Sequence, residues 1–197
     1  MKTILCILVV CIAAFPAFSQ NTTIPSKEVQ IKTAVLAAPE EKQEGAKVLG
    51  YNESGELIEL RKGTNEMICI ADDPNGKGFS VACYAADLEP FMERGRELKK
   101  EGKAFQEIFD TREAEAKSGK LQMPKEGATL FVLTAETENF NTTSGDVSDT
   151  YLRYVVYLPW ATSETTGLPL KPSAPGMPWI MDPGTHRAHI MITPARD

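Results

Sequence analysis

The longest apolar run of the chain lies at its amino terminus. Residues Ile4 to Phe15 are almost all apolar, Lys2 precedes them, and Ala17-Phe18-Ser19 places small residues where a signal peptidase reads. The run is shorter than the stretch of about 20 apolar residues that a membrane-spanning helix needs. The pattern therefore predicts a secretory signal peptide over residues 1–19 and a mature chain that begins at Gln20.

Short apolar segments separated by turn-forming residues follow and predict β-structure. Val29 to Ala37 is apolar enough for a first strand, although a helix is also open. Val48 to Tyr51 and Glu56 to Arg61 flank an Asn-Glu-Ser-Gly turn. Met67 to Ala71 and Phe79 to Tyr84 flank a longer turn with proline, asparagine and glycine. Each pair predicts a β-hairpin.

Two cysteines lie at matching positions in the second hairpin. Cys69 and Cys83 are equally far from Gly76, so a symmetric hairpin sets them directly opposite each other. Opposite residues of a non-hydrogen-bonded pair lie about 4.5 Å apart at Cα, within reach of a disulfide. Because the other cysteines, Cys6 and Cys11, fall in the signal peptide, we predict a Cys69–Cys83 disulfide in an oxidising compartment.

Helical periodicity replaces the strand pattern in the middle of the chain. Asp87 is a suitable N-cap, and the apolar residues after it recur at helical spacing, which predicts a helix over Asp87–Glu101. A second helix is predicted over Lys103–Ser118, with Phe105, Ile108 and Phe109 on its apolar face.

Strands return in the last third. Thr129 to Thr134, Tyr151 to Leu158 and Arg187 to Thr193 are predicted strands, while Pro159 to Pro183 is too rich in proline and glycine for a continuous helix or an interior strand. We therefore predict an α+β fold in which a mostly antiparallel sheet of about six strands packs against the pair of helices. The mature chain, residues 20–197, is expected to form one domain.

The composition and net charge of the chain limit the classes of partner that it is expected to bind. The chain is 42% hydrophobic and 24% charged, which is typical of a folded domain, and its net charge of −6 disfavours nucleic acid and anionic lipid as general partners. No segment after the signal peptide has the apolar length of a membrane span. The expected partner is an unidentified small molecule or protein, and no motif predicts a cofactor.

The carboxy-terminal segment from Pro175 to His189 concentrates the residues that could carry chemistry. Asp182, His186 and His189 are the candidate catalytic residues, with a histidine as base and Asp182 as its orienting partner. The histidines are three residues apart, so on a strand they point to opposite faces and cannot readily chelate one ion. A zinc site would need further carboxylates, and we predict no metal site; histidines that only brace a rigid turn remain the alternative.

Strand alternation predicts different environments for the two histidines. Ala188, Ile190 and Ile192 share one face of the last strand, which we expect to face the core. His189 would then lie on the accessible face, in a groove beside Trp179, and His186 would bond the preceding turn. The candidate ligand-binding residues of this segment are an aromatic and basic group, namely Trp160, Trp179, Arg187 and His189.

The stretches Cys69–Asp73, Cys83–Arg96 and Pro175–Ile192 resemble uncharacterised exported bacterial proteins. The resemblance implies export to the periplasm or beyond and implies no activity. Glycosylation sequons begin at Asn21, Asn52 and Asn141, and they matter only in a eukaryotic secretory pathway.

Three functions remain open. The leading hypothesis is an exported, non-catalytic binding or interaction module that uses the Trp160–His189 region. The alternatives are an extracytoplasmic hydrolase that uses Asp182, His186 and His189, and a structural component of the cell envelope. An open cleft in which the carboxylate meets both imidazoles would favour the hydrolase, whereas buried, hydrogen-bonded imidazoles would disfavour it.

Overall fold

An eight-stranded sheet dominates the computed structural model, which describes residues 24–196. The predicted signal peptide, its cleavage before Gln20 and the sequon at Asn21 lie outside these residues. The strands are β1 (Lys47–Tyr51), β2 (Leu57–Arg61), β3 (Met67–Ile70), β4 (Phe79–Ala85), β5 (Ala128–Ala135), β6 (Tyr151–Tyr157), β7 (Trp179–Met181) and β8 (His189–Ile192).

The sheet order is β2-β1-β3-β4-β5-β6-β8-β7. Neighbouring strands are antiparallel except β1 and β3, which run parallel. The predicted α+β class is confirmed, but the sheet is mixed and larger than the expected six strands. The strand that the prediction overlooked is β7, an edge strand of three residues inside the segment rich in proline and glycine. Too few residues form it to leave a periodic pattern.

The helices are α1 (Lys27–Ala34), α2 (Glu40–Gln43), α3 (Glu89–Lys100), α4 (Phe105–Lys117) and α5 (Ser163–Thr166). The predicted helix pair therefore corresponds to α3 and α4. Asp87 does not cap α3; it lies in a preceding 3₁₀ turn, Ala86–Leu88.

The strand expected over Val29–Ala37 is wrong, because these residues form α1 and a following 3₁₀ turn. The Ser26 hydroxyl caps α1 by accepting a hydrogen bond from the Val29 N–H at 3.3 Å. The Gln30 side chain then bonds both backbone groups of Tyr51, at 2.7 and 2.9 Å, at the end of β1. These polar contacts favour the helix over a strand of the same hydrophobicity.

Two hydrophobic cores cover the two faces of the sheet. Cys69 and Cys83 belong to the core under α1, whereas their chain neighbours Ile68 and Tyr84 belong to the core under α3 and α4. Adjacent residues of a strand point to opposite faces, so α1 and the α3–α4 pair lie on opposite sides of the sheet. A single pair of helices would have left one face bare.

Both predicted hairpins are confirmed, and Cys69 lies directly opposite Cys83 in the register of β3 and β4. Their sulfur atoms are 2.09 Å apart, which is bonding distance, and their Cα atoms are 4.0 Å apart, slightly closer than is usual for a disulfide pair. Within residues 24–196, no helix has the length and apolarity required to cross a membrane.

Candidate functional site

The chain on either side of the proline-rich loop is joined by backbone hydrogen bonds. The Leu158 N–H donates to the Ala188 carbonyl at 2.9 Å, and the Trp160 N–H donates to the Thr185 carbonyl at 2.8 Å. The segment that carries Asp182 to His189 is thereby held against the end of β6. Helix α4 contacts this paired segment through side chains, and together they form the candidate site.

His186 is fully buried beneath α4. Its Nδ1 lies 3.3 Å from Oε2 of Glu113, and its ring centre lies 4.9 Å from that of Phe109 and 5.8 Å from that of Phe91. Burial lowers the pKa of His186, and the hydrogen bond to Glu113 opposes that shift. The prediction that His186 is structural agrees with this burial, but its partner is a helix residue rather than the turn.

His189 is only 3% exposed, so the expectation of an accessible His189 is wrong. Its Nδ1 lies 2.7 Å from the Arg187 carbonyl, and its ring lies 5.1 Å from the Tyr157 ring, centre to centre. Ala188 is buried as predicted, but Ile190 and Ile192 on its expected core face are only half-buried. The face of His189 packs against the core as well, since Met191 contacts the cluster under α3 and α4, so alternation did not separate a core face from a solvent face.

Asp182 contacts neither imidazole. Its Oδ2 accepts a hydrogen bond from Nη1 of Arg187 at 2.7 Å, and the Arg187 guanidinium also lies 5.3 Å from the Phe105 ring. The three candidate catalytic residues thus lie in one segment but have separate partners. The predicted pair of Asp182 with a histidine is not formed, and the histidine that has a carboxylate partner is His186, with Glu113.

The two tryptophans of the predicted site differ in exposure. Trp160 is 39% exposed, and the ammonium of Lys117 lies 5.9 Å from its ring centre. Its backbone has φ of 69°, a left-handed conformation that bulky residues rarely adopt. Trp179 is half-buried on β7, and its indole N–H is buried without a hydrogen-bond partner.

The sequence interpretation overlooked Arg112 of α4, which is 9% exposed. Its guanidinium lies 3.9 Å above the Phe91 ring, and Nη1 donates to the Phe91 carbonyl at 3.1 Å. Gly95 of α3 makes room for it, since a Cβ there would lie 2.8 Å from Nη1. Burial lowers the pKa of Arg112 to about 10, and Arg187 adds to the shift. A charged residue on the apolar stripe of α4 was the sequence sign of this site.

Metal-binding residues do not converge in the part of the chain that the structure describes, where no cluster of three or more histidine, cysteine or acidic side chains is found. Asp72 and Asp73, which could have completed a zinc site, instead line a separate cavity of about 200 Å³ with Tyr51. Burial raises the pKa of Asp72 to about 6, and its Oδ1 accepts a hydrogen bond from the Ser80 N–H at 2.8 Å.

Comparisons of the chain with protein-family models, with curated proteins and with solved structures found no match.

Proposed function

We propose that this chain is an exported, non-catalytic binding module, periplasmic or extracellular, whose ligand contacts α4 and the paired segments beside it. We call this surface the α4 surface, and it comprises Phe105, Lys117, Trp160 and Arg187. The observation that supports it best is the conformation of Trp160, a partly exposed tryptophan in a left-handed backbone conformation.

The conformation of Trp160 has an energetic cost. A non-glycine residue in the left-handed region is destabilised by about 1–2 kcal/mol, and such strain is concentrated at functional sites. The hydrogen bond from the Trp160 N–H to the Thr185 carbonyl helps to hold that backbone in place. An indole that serves only to fill the core would need neither this conformation nor 39% exposure. A broad, partly exposed aromatic face is well suited to contact a ligand.

The same surface carries a second exposed ring and two cations. Phe105 is 66% exposed at the start of α4, and Arg187 lies beside it. Lys117 approaches Trp160 at the other end of the helix. Aromatic residues and arginine are enriched where proteins bind partners, which favours Phe105, Trp160 and Arg187 as the contact residues.

Burial of both imidazoles supports binding rather than hydrolysis. A general base must reach the proton that it abstracts, and His186 and His189 are 0% and 3% exposed. Their Nδ1 atoms face Glu113 and the Arg187 carbonyl, which leaves Nε2 of each ring for proton transfer, and Nε2 of His186 is buried. A structural envelope component remains the alternative, and it differs from a binding module in that it would bind no ligand at this surface.

Export is supported by the predicted signal peptide and by the cysteine pair at bonding distance. Mass spectrometry of protein recovered outside the cytoplasm should show loss of residues 1–19. Retention of Met1 in that fraction would contradict cleavage.

A fragment screen by NMR on the isotope-labelled mature chain tests the binding function. The indole N–H of Trp160 should shift with the fragments that bind, and they should be recovered chemically unchanged. For fragments without a negative charge, Trp179 provides an internal comparison, because its buried N–H should respond less than Trp160 to contacts on the α4 surface. Binding that maps only to other surfaces, or no binding at all, would contradict the proposal, and conversion of a bound fragment would support the hydrolase instead.

A further inference from the structure

Four buried side-chain nitrogens lack a hydrogen-bond partner among the described residues. They are Arg112 Nε, Arg153 Nε, Trp179 Nε1 and His186 Nε2. Unpaired buried polar atoms are rare in native proteins, and each one calls for a missing partner. The arginine and tryptophan nitrogens can only donate, so the missing partners are acceptors.

These nitrogens lie on one side of the sheet. Arg153 shares a face of β6 with Val155 and Tyr157, which belong to the core under α3 and α4. Trp179 lies on the same face, because it pairs with Met191, which in turn pairs with Val155. Arg112 and His186 lie in the layer above that face. The unpaired nitrogens thus lie in one layer, where Arg112 and His186 both contact the Phe91 ring, while Arg153 lies four residues from Tyr157 along β6.

Arg112 is the only one of these residues whose charge is both fixed and nearly buried. The other charges around it are compensated: Arg187 pairs with Asp182, and Glu113 pairs with Lys117. Arg112 forms no ion pair within residues 24–196, and only its Nη1 donates a hydrogen bond, to a backbone carbonyl. A buried charge without a counterion is costly, so one positive charge here lacks its expected partner.

Tyr157 places a phenol next to this charge. Its ring centre lies 5.4 Å from that of Phe91, the ring on which the Arg112 guanidinium stacks. Arg187 and Arg112 both lower the pKa of Tyr157, against the larger opposite effect of burial. The Arg187 guanidinium lies against the Phe105 ring of α4, so both guanidinium groups and the phenol lie in the layer under this helix.

We propose that Arg112, Arg187 and Tyr157 receive a carboxylate of the ligand. This inference rests on the proposed binding function and names the chemical class of the group that is bound. A carboxylate carries the single negative charge that the unpaired Arg112 requires, and guanidinium groups bind it through directed, charge-assisted hydrogen bonds. Phosphate groups would bring a further charge for which the surrounding pairs leave no partner.

The competing explanation is that Arg112 only joins α3 to α4 through Phe91 and Gly95. Under that explanation, acetate has no effect beyond ionic strength. We therefore propose titrating the mature protein with sodium acetate, sodium phosphate and sodium chloride at matched ionic strength. The readouts are the NMR signals of the Arg112 Nε–H and the Trp179 indole N–H.

We expect acetate to shift these signals to saturation, and phosphate and chloride to bind more weakly. Arg112→Met should weaken acetate binding about tenfold or more, as expected for loss of a charge-assisted contact. Arg94→Met is the matched control, because it removes an arginine of α3 that is paired with Glu115 at 2.8 Å, and it should leave acetate binding unchanged. If Arg112→Met fails to fold, Arg112→Lys keeps the charge and should give an intermediate affinity.

Three results would overturn the inference: no response to acetate beyond that to chloride, equal acetate binding by wild type and Arg112→Met, or tighter binding of phosphate. The failure of this inference is distinguishable from that of the proposed function. Fragments without a carboxylate that bind at Trp160, in a protein that ignores acetate, would refute the carboxylate site and leave the binding function intact. Absence of any bound fragment at the α4 surface would refute the binding function itself.

Discussion

Because the backbone of Trp160 is strained, we predict that two substitutions that both remove the indole will differ in stability. Trp160→Ala and Trp160→Gly lose the same side-chain packing, so their difference isolates the backbone. At φ of 69°, alanine is strained by about 1–2 kcal/mol and glycine is not. Relative to the alanine variant, the glycine variant is destabilised by about 0.4–1 kcal/mol, because its unfolded chain has the greater conformational entropy. The balance predicts that the glycine variant is the more stable by roughly 0.5–1 kcal/mol.

Urea unfolding of the two variants measures this difference directly, because equal m-values allow the midpoints to be compared. For a chain of this size, 1 kcal/mol also corresponds to a change of about 2–4 °C in Tm. The same pair of substitutions at Trp179 is the control. Trp179 lies in β7 and is not among the residues with positive φ, so there the glycine variant should be the less stable. A glycine variant at position 160 no more stable than the alanine variant would refute the strain argument.

The other predictions concern stability and pH. Cys69 and Cys83 should give no free thiol in denatured, non-reduced protein, and reduction should cost about 3 kcal/mol by the chain-entropy account; two free thiols would contradict this. Burial raises the pKa of Asp72 to about 6, so the ionised carboxylate destabilises the folded protein near pH 7 and Asp72→Asn should stabilise it. The full pKa shift corresponds to about 3 kcal/mol of stability, and because solvent screens this half-buried group we expect a gain of about 1 kcal/mol. This gain should shrink as the pH falls below 6 and vanish below 3.8, where the carboxyl is protonated in both the folded and the unfolded protein; a gain that does not change with pH would refute the prediction. Because burial lowers the pKa values of His186 and His189, the free energy of unfolding of the Asp72→Asn variant should fall as the pH drops below 6.5. Adding His186→Ala should make this dependence on pH weaker and should lower the free energy of unfolding by about 1–3 kcal/mol. An unchanged dependence on pH would refute the role assigned to His186.

Local patterns were sufficient for the hairpins and for the cysteine pair. Turn chemistry around Gly76 is encoded within a few residues, and it sets the register that places Cys69 opposite Cys83. The helix pair could likewise be predicted from the spacing of its apolar residues. The helix at Val29–Ala37 could not, because the hydrophobicity of this segment fits a helix or a strand equally well and the contacts of Gln30 are made with Tyr51, 21 residues away.

The predicted grouping of Asp182, His186 and His189 in one catalytic site is not formed. Asp182, His186 and His189 drew attention by residue type, yet the structure gives each a partner of its own. The partner of His186 is Glu113, a residue 73 positions away on α4. No local pattern contains that contact, since it depends on where α4 crosses the end of the sheet.

For Arg112, the sequence shows the position on the helix but not whether the side chain is buried. Its position on the apolar stripe of α4 is visible in the sequence, but a long cationic side chain on such a stripe can also extend to solvent. Only the crossing of α3 and α4 at Gly95 decides that it stays inside, over Phe91. One helix thereby supplies both the residue that fixes His186 and the residue that lacks a counterion. Because α4 carries both, substitutions at its inner face should change fold stability, and, if the proposed carboxylate site is correct, they should rarely change ligand binding alone.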